Sequence, residues 1–253
     1  MKPIVTIPAR LSATRLPNKP LAPIAGEAMI VHVLRRAMEA DIGPVIVACA
    51  EAEVAEAVER AGGTAVLTDA ALPSGSDRVH QAVERADPEG AYDVVVNLQG
   101  DLPTIAPESI RAVLLPLEEA AVDIATLAAR IVDLEERGNP NVVKVAAAFA
   151  EDASKSGEGT ARALYFSRCP IPWDGGDAAL PLYHHIGLYA FRRAALRRFV
   201  ALPPGRLESR ERLEQLRALE AGMRIDVARV DGVPLGVDTP ADLARARAIL
   251  SDD

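Results

Sequence analysis

Ile4-Val5-Thr6-Ile7-Pro8-Ala9-Arg10-Leu11-Ser12-Ala13-Thr14-Arg15-Leu16-Pro17-Asn18-Lys19-Pro20 is the stretch on which the reading of the fold turns. Its first four residues are β-rich and stop at Pro8, which predicts a buried strand running into a loop. Pro8, Pro17 and Pro20 each keep residues 8–20 out of a helix interior. Outward from this strand the chain alternates. Met29, Val33, Leu34 and Ala37 recur at helical spacing over 28–40, and Val45-Ile46-Val47 is a second strand. A helix over 51–61 ends at Gly62-Gly63, Ala65-Val66-Leu67 is a third strand, and residues 76–86 form a helix with Ser74, Ser76 or Asp77 as caps. Asp93-Val94-Val95-Val96-Asn97 is apolar without alternation, the mark of a strand covered on both faces. This βαβαβαβ rhythm predicts an α/β fold with a mostly parallel central sheet.

After residue 123 the rhythm changes. Strands over roughly 124–130, 142–149, 162–167 and 185–191 follow one another without helices between them, which predicts an antiparallel extension. Helices near 192–200 and 208–221, a strand at 225–230 and a helix at 240–250 complete the chain, the last two expected to return to the main sheet. The division is therefore 1–122 with 222–253 for the core and 123–221 for the region set into it. The segment 150–161 is small and polar.

The 253 residues suffice to bury a sizeable core. Runs such as Val94-Val95-Val96 and Ala146-Ala147-Ala148-Phe149 are far too short to cross a membrane, and the N-terminus lacks the features of a secretory signal. Cys49 and Cys169 form neither a disulfide framework nor a CxxC metal pair, so the expected compartment is the cytoplasm. A net charge of −8 disfavours a nucleic-acid partner. An acidic protein can nonetheless bind an anion where its cations converge. Arg10, Arg15 and Lys19 share one loop, at the carboxyl end of a strand where α/β sheets bind ligands, among small residues that admit close main-chain approach. A polyphosphate asks for such a set: main-chain N–H donors, a guanidinium fork and a lysine point charge. The loop is neither a Walker A nor a GxGxxG sequence, and a solvated basic loop is the competing account.

Asn97-Leu98-Gln99-Gly100-Asp101-Leu102-Pro103 ends the apolar strand and sets Asp101 at the sheet edge, either as a turn residue or as a ligand of Mg²⁺. Gly236-Val237-Asp238-Thr239-Pro240 offers Asp238 as a second ligand or as a plain helix start. Ser74-Gly75-Ser76-Asp77-Arg78 opens a helix whose N-terminus serves equally for capping and for holding a base or phosphate. His184 and His185 precede a strand, as core or surface residues or as contacts to a sugar carboxylate. His32 and His80 read as ordinary helix residues, and no Ser/His/Asp or Cys/His nucleophile set is present.

Taken together these segments resemble the 3-deoxy-manno-octulosonate cytidylyltransferase (CMP-Kdo synthetase) family. The likeness includes Ile7 to Arg10, Ser12 to Pro20, Met29 to Val33, Ser74-Gly75, Asn97 with Gln99-Gly100-Asp101, and Asn139 to Val145. It continues through Ala163 to Arg168, Ile171-Pro172-Trp173, His185 to Tyr189, Leu207-Glu208, Glu211, Leu213 to Arg217 and Gly236 to Pro240. The YFSR, IPW and LEQLR segments are the most specific, and the likeness lapses near 150–161.

The resemblance implies a Rossmann-like nucleotidyltransferase fold whose extension forms a sugar-binding and dimerisation region. It implies direct attack of the Kdo anomeric hydroxyl on the α-phosphorus of CTP, feeding lipopolysaccharide assembly. Arg10, Arg15 and Lys19 would hold the triphosphate, Asp101 and Asp238 would hold Mg²⁺, and Pro8, Ala9, Ser74, Gly75 and Gln99 would lie by the nucleotide. Gln99, Arg168, His185, Tyr189, Glu211 and Gln215 would line the sugar pocket of a homodimer. Five residues depart, at three places: Cys49-Ala50 in place of Thr-Asp, Leu102 in place of Glu, and Ser209 and Arg210 in place of His-Ile. The last two lie beside the implied sugar pocket. A cytidylyltransferase for sialic acid or amino-Kdo, one for a neutral sugar or polyol phosphate, and a nucleotide-binding protein without turnover are the alternatives.

Overall fold

A computed structural model describes residues 1–12, 16–150, 159–173 and 181–251. The chain divides into two units, Met1–Arg111 with Pro234–Asp253, and Ala112–Val233.

In the first unit β1 (Pro3–Ala9) lies centrally. A hairpin of β2 (Pro23–Ile24) and β3 (Glu27–Ala28) leads into α1 (Met29–Glu39), followed by β4 (Val45–Cys49), α2 (Ala52–Arg60), β5 (Thr64–Leu67), α3 (Gly75–Ala86), β6 (Val94–Asn97) and α4 (Pro107–Ala112). The unit's strands run in the order β5-β4-β1-β6, all parallel. Val94, Val95 and Val96 are wholly buried, as their unbroken apolar run requires. The small hairpin turns through Ala25 and Gly26, both with positive φ, as a two-residue turn of this hand demands. Ile24 and Met29 pack with Val237, Leu243 and Ala246, the latter two on the chain's last helix, Pro240–Ser251.

The second unit holds β7 (Ile124–Arg130), α5 (Leu134–Gly138), β8 (Lys144–Ala147), β9 (Thr160–Ser167), β10 (Tyr183–Arg192), α6 (Arg193–Ala201), α7 (Arg206–Glu211), α8 (Leu216–Glu220) and β11 (Ile225–Val230), and α9 is the helix Pro240–Ser251 of the first unit. The order is β10-β7-β11-β9-β8, and β8 also pairs with β10 at His184 and Lys144. Among the described residues of this unit only β11 and β7 run parallel; the other pairs are antiparallel. The extension is therefore mixed rather than antiparallel throughout.

Two expectations change. The boundaries fall at 111/112 and 233/234, where 122/123 and 221/222 were expected; the second lies later because β11 pairs with β7 and β9 and so belongs to the second unit. The helix expected over 208–221 is two short ones, broken where Arg212 takes a left-handed backbone (φ 56°). Glu208 holds that break: its carboxylate accepts from the Gly205 amide at 2.8 Å and from Arg217 at 2.8 and 2.5 Å. The half-buried Arg217 guanidinium keeps the Glu208 carboxyl below the usual range, against the effect of burial.

Candidate active site

The loop after β1 and the turn after β6 meet at Gly100. A Cβ there would stand 2.8 Å from the Pro8 carbonyl oxygen and 3.3 Å from Ile30 Cδ1, so only glycine allows the two segments to close. Asp101 follows immediately. Its carbonyl accepts from the Val237 amide at 2.9 Å, which ties the segment bearing Asp238 to the turn bearing Asp101. Lys19 opens a short 3₁₀ turn, Lys19–Leu21, after the left-handed Asn18.

These three anchors converge. Lys19 Nζ donates to Asp101 Oδ2 at 2.7 Å and to Asp238 Oδ1 at 3.0 Å. Burial works against the ammonium, but Asp101 and then Asp238 outweigh it and hold the lysine above its ordinary pKa. The two carboxylates, far apart in sequence, thus already share one cation. Around them lies a cavity of about 310 Å³ bounded by Pro8, Ala9, Arg10, Ser12, Gln99 and Gly100 with the charged triad.

A second cavity, about 240 Å³, shares Pro8, Ala9, Arg10, Gln99 and Asp101 and is closed by Ser74, Gly75 and Arg78. Ser74 caps α3: its hydroxyl oxygen accepts from the Asp77 amide at 3.2 Å, and the hydroxyl donates to Asp77 Oδ2 at 2.7 Å. The capping reading is what the geometry shows, and the capped helix start lines a cavity. Arg78 was not singled out in the sequence. It is only 2% exposed and donates to Thr68 Oγ1 at 2.5 Å and to the Asp69 carbonyl at 3.2 Å. An arginine one turn into a helix ordinarily reads as solvated; its proximity to Ser74-Gly75 was the available signal. Gln99 donates to Asn97 Oδ1 at 3.3 Å. Arg15 lies outside the described residues.

The other expected site residues belong to the second unit. His185 is buried; its ring meets Phe166 edge-on at 4.8 Å and Tyr189 at 5.5 Å. Burial, with His184 adding, lowers its pKa to about 3, and burial with Lys144 lowers that of His184 to about 4. Burial, helped by Glu214, pushes the Tyr189 phenol up. Glu211 accepts from the Ser167 hydroxyl at 2.7 Å and the Arg168 amide at 3.1 Å. The Arg168 guanidinium, expected to meet a sugar carboxylate, is turned onto main-chain carbonyls: Glu211 at 2.8 Å, Pro140 at 2.9 Å and Arg212 at 3.5 Å. In this arrangement it braces the YFSR strand end against α7. Gln215 is 6% exposed, and its Nε2 has no hydrogen-bond partner among the described residues.

No group of three or more His, Cys, Asp or Glu suited to a metal exists among the described residues. Asp101 and Asp238 alone make a two-carboxylate, all-oxygen set. That suits Mg²⁺, which keeps waters and takes its remaining ligands from substrate phosphate; it does not suit structural zinc or a calcium cage. Among the described residues no helix is long and apolar enough to cross a membrane.

Comparison with known proteins gives a consistent picture. The family described as Cytidylyltransferase matches residues 4–225. The 3-deoxy-manno-octulosonate cytidylyltransferase of Methylobacterium radiotolerans is 65% identical over 248 residues, covering 98% of this chain and 96% of that protein. That of Paramagnetospirillum magneticum is 61% identical over 250 residues, covering 99% and 98%. Among solved structures, CMP:2-keto-3-deoxy-manno-octonic acid synthetase complexed with CTP superposes with a TM-score of 0.87 at 36% identity, covering 100% of this chain and 99% of the other. The mixed α/β architecture is therefore a nucleotidyltransferase fold, and the chain belongs to the 3-deoxy-manno-octulosonate cytidylyltransferase family and is a nucleotidyltransferase.

Proposed function

We propose that the chain transfers CMP from CTP to the anomeric hydroxyl of 3-deoxy-D-manno-octulosonate (Kdo), with Mg²⁺, releasing pyrophosphate. The observation that carries this reading is the convergence of Lys19 on Asp101 and Asp238 beside a cavity walled by the β1 and β6 loops. Full-length likeness to cytidylyltransferases of that name supports the substrates. The oxygen of the sugar hydroxyl forms a bond to the α-phosphorus, and the bond from that phosphorus to the β-phosphate oxygen breaks. Such a transfer needs positioning and charge neutralisation more than covalent chemistry.

Arg10, Arg15 and Lys19 would neutralise the triphosphate, and Ser74 and Gly75, at the start of α3, would lie by the cytidine with Arg78 behind them. Asp101 and Asp238 would hold Mg²⁺, which when bound supplies positive charge to phosphate oxygens. The acidic sugar is given to Gln99, His185, Tyr189, Glu211 and Gln215, whose unpartnered amide is a donor for a sugar oxygen. Arg168 supports Glu211 in this reading. Lipopolysaccharide assembly, a cytoplasmic location and a homodimer follow from the same family reading.

The test is pyrophosphate release from CTP and Mg²⁺ with Kdo, sialic acid or amino-Kdo as acceptor. Release with Kdo alone is expected. Release with another acid only would move the substrate, and no release with any acceptor would overturn the reading.

A further inference from the structure

Thr126 is wholly buried on β7, opposite Tyr189, where β10 bulges. Between Ile186 and Tyr189 the register slips, so Gly187 and Leu188 find no cross-strand partner on β7. The Thr126 hydroxyl occupies that gap, with its oxygen 3.1 Å from the Ile186 carbonyl, 2.8 Å from the Leu188 carbonyl and 3.0 Å from His185 Nε2. Carbonyl oxygens only accept, and the hydroxyl has a single proton. If that proton were turned to the imidazole, two oxygens would face each other at 2.8 Å with no hydrogen between them. The hydroxyl therefore donates into the bulge, and the proton of the histidine contact comes from Nε2. A neutral imidazole carries one proton, so Nδ1 is left as a bare acceptor. Burial, with His184 adding, keeps the ring neutral at physiological pH.

We propose that Thr126 is a positioning residue for the acidic-sugar site: it locks His185 as the Nε2–H tautomer, so that Nδ1 accepts a hydrogen bond from a sugar hydroxyl. The proposal rests on the reading that places His185 at the sugar. It gives the histidine a defined part in selection. A neutral acceptor recognises a hydroxyl and repels a carboxylate, which is left to other groups. The bulge that turns His185 and Tyr189 toward each other and the hydroxyl that sets the tautomer are then one device.

The full chain labelled with ¹⁵N-histidine decides the tautomer, its His185 signals assigned by difference with H185Q. At pH 7 we expect Nε2 protonated and Nδ1 bare. In T126V the Nδ1–H form should gain population. The KM for Kdo should rise about tenfold, the worth of one hydrogen bond, with the KM for CTP within about twofold. T126S should restore both the spectrum and the KM. A wild-type spectrum with the proton on Nδ1 overturns the proposal even if T126V fails to fold, as does a T126V protein with unchanged spectrum and KM. An H185Q protein with unchanged Kdo KM would overturn instead the placement of His185 at the sugar, whatever its tautomer.

Discussion

Lowering the pH from 7 to 5 should destabilise this protein through two adjacent residues, His184 and His185. In the unfolded chain each imidazole has the ordinary pKa of 6.5, whereas in the fold burial brings them to about 4 and about 3. The sign follows from proton binding. Below pH 6.5 the unfolded state takes up protons that the native state refuses, so stability is highest above that value and falls as the pH drops toward the folded values. The limiting slope is about 1.4 kcal/mol per pH unit for each histidine. From pH 7 to 5 the loss is about 2 kcal/mol each, or about 4 kcal/mol for the pair, against a total stability of about 5–15 kcal/mol for a typical domain. Lys144, itself fully buried, adds its charge against His184 and cannot relieve the penalty. The assay is urea unfolding followed by circular dichroism at pH 7, 6 and 5, comparing wild type with H185Q and H184Q/H185Q. The variants are less stable throughout; the informative quantity is the change between pH 7 and 5, which should roughly halve in the single variant and nearly vanish in the double. Equal changes in all three proteins would refute the reasoning, because His185 would then not be held neutral by its surroundings.

Three further outcomes are expected. Asp101→Asn and Asp238→Asn should each cut Mg²⁺-dependent pyrophosphate release by at least about 100-fold while leaving the melting temperature near wild type, and near-normal rates in both would remove them as metal ligands. Gly100→Ala drives a methyl group against the Pro8 carbonyl oxygen, so about 1–3 kcal/mol of stability and a larger share of activity should be lost; an unchanged denaturation midpoint would show that the two loops can part freely. Arg78→Met leaves Thr68 Oγ1 and the Asp69 carbonyl without their buried donor. It should cost about 1–3 kcal/mol in urea unfolding and raise the KM for CTP, whereas a change in the KM for Kdo alone would put Arg78 outside the nucleotide cavity.

The parallel half of the fold was legible because its signals are local. Val94 to Val96 form an unbroken apolar run, Ser74 caps its helix, and a left-handed Gly62 follows α2, so β1, α1, β4, α2, β5, α3 and β6 lie within a residue or two of where the sequence put them, while the β2–β3 hairpin and α4 were not read at all. The second unit was less legible because strand partners are not written in a strand's own residues. Nothing in Ile225–Val230 says that it lies between β7 and β9, and nothing in LEQLR announces the left-handed Arg212 just before it. Lys19, Asp101 and Asp238 were each singled out, but separately, and each had an ordinary local explanation; the bond from Val237 to Asp101 and the lysine shared between the two carboxylates, both products of folding, bring them together. Arg78, quoted within its segment but given no part of its own, and Thr126, not read at all, were missed for a related reason, since burial and a bulge give them their partners, and both are products of folding.

The first unit is left at Arg111 and resumed at Pro234, and this has a consequence for the order of events during synthesis. Lys19 and Asp238 are separated by 219 residues, so at ribosomal speed the lysine is made roughly 10–45 s before the second carboxylate it will hold. Once Asp101 has been added, 82 residues after Lys19, a nascent chain possesses the basic loop, the apolar strand and the first carboxylate, yet the lysine still lacks its second partner. A ribosome that stalls anywhere before Asp238 releases a product in which Lys19 can reach Asp101 alone, so the carboxylate pair proposed for Mg²⁺ is completed only as Pro240–Ser251 is about to be made.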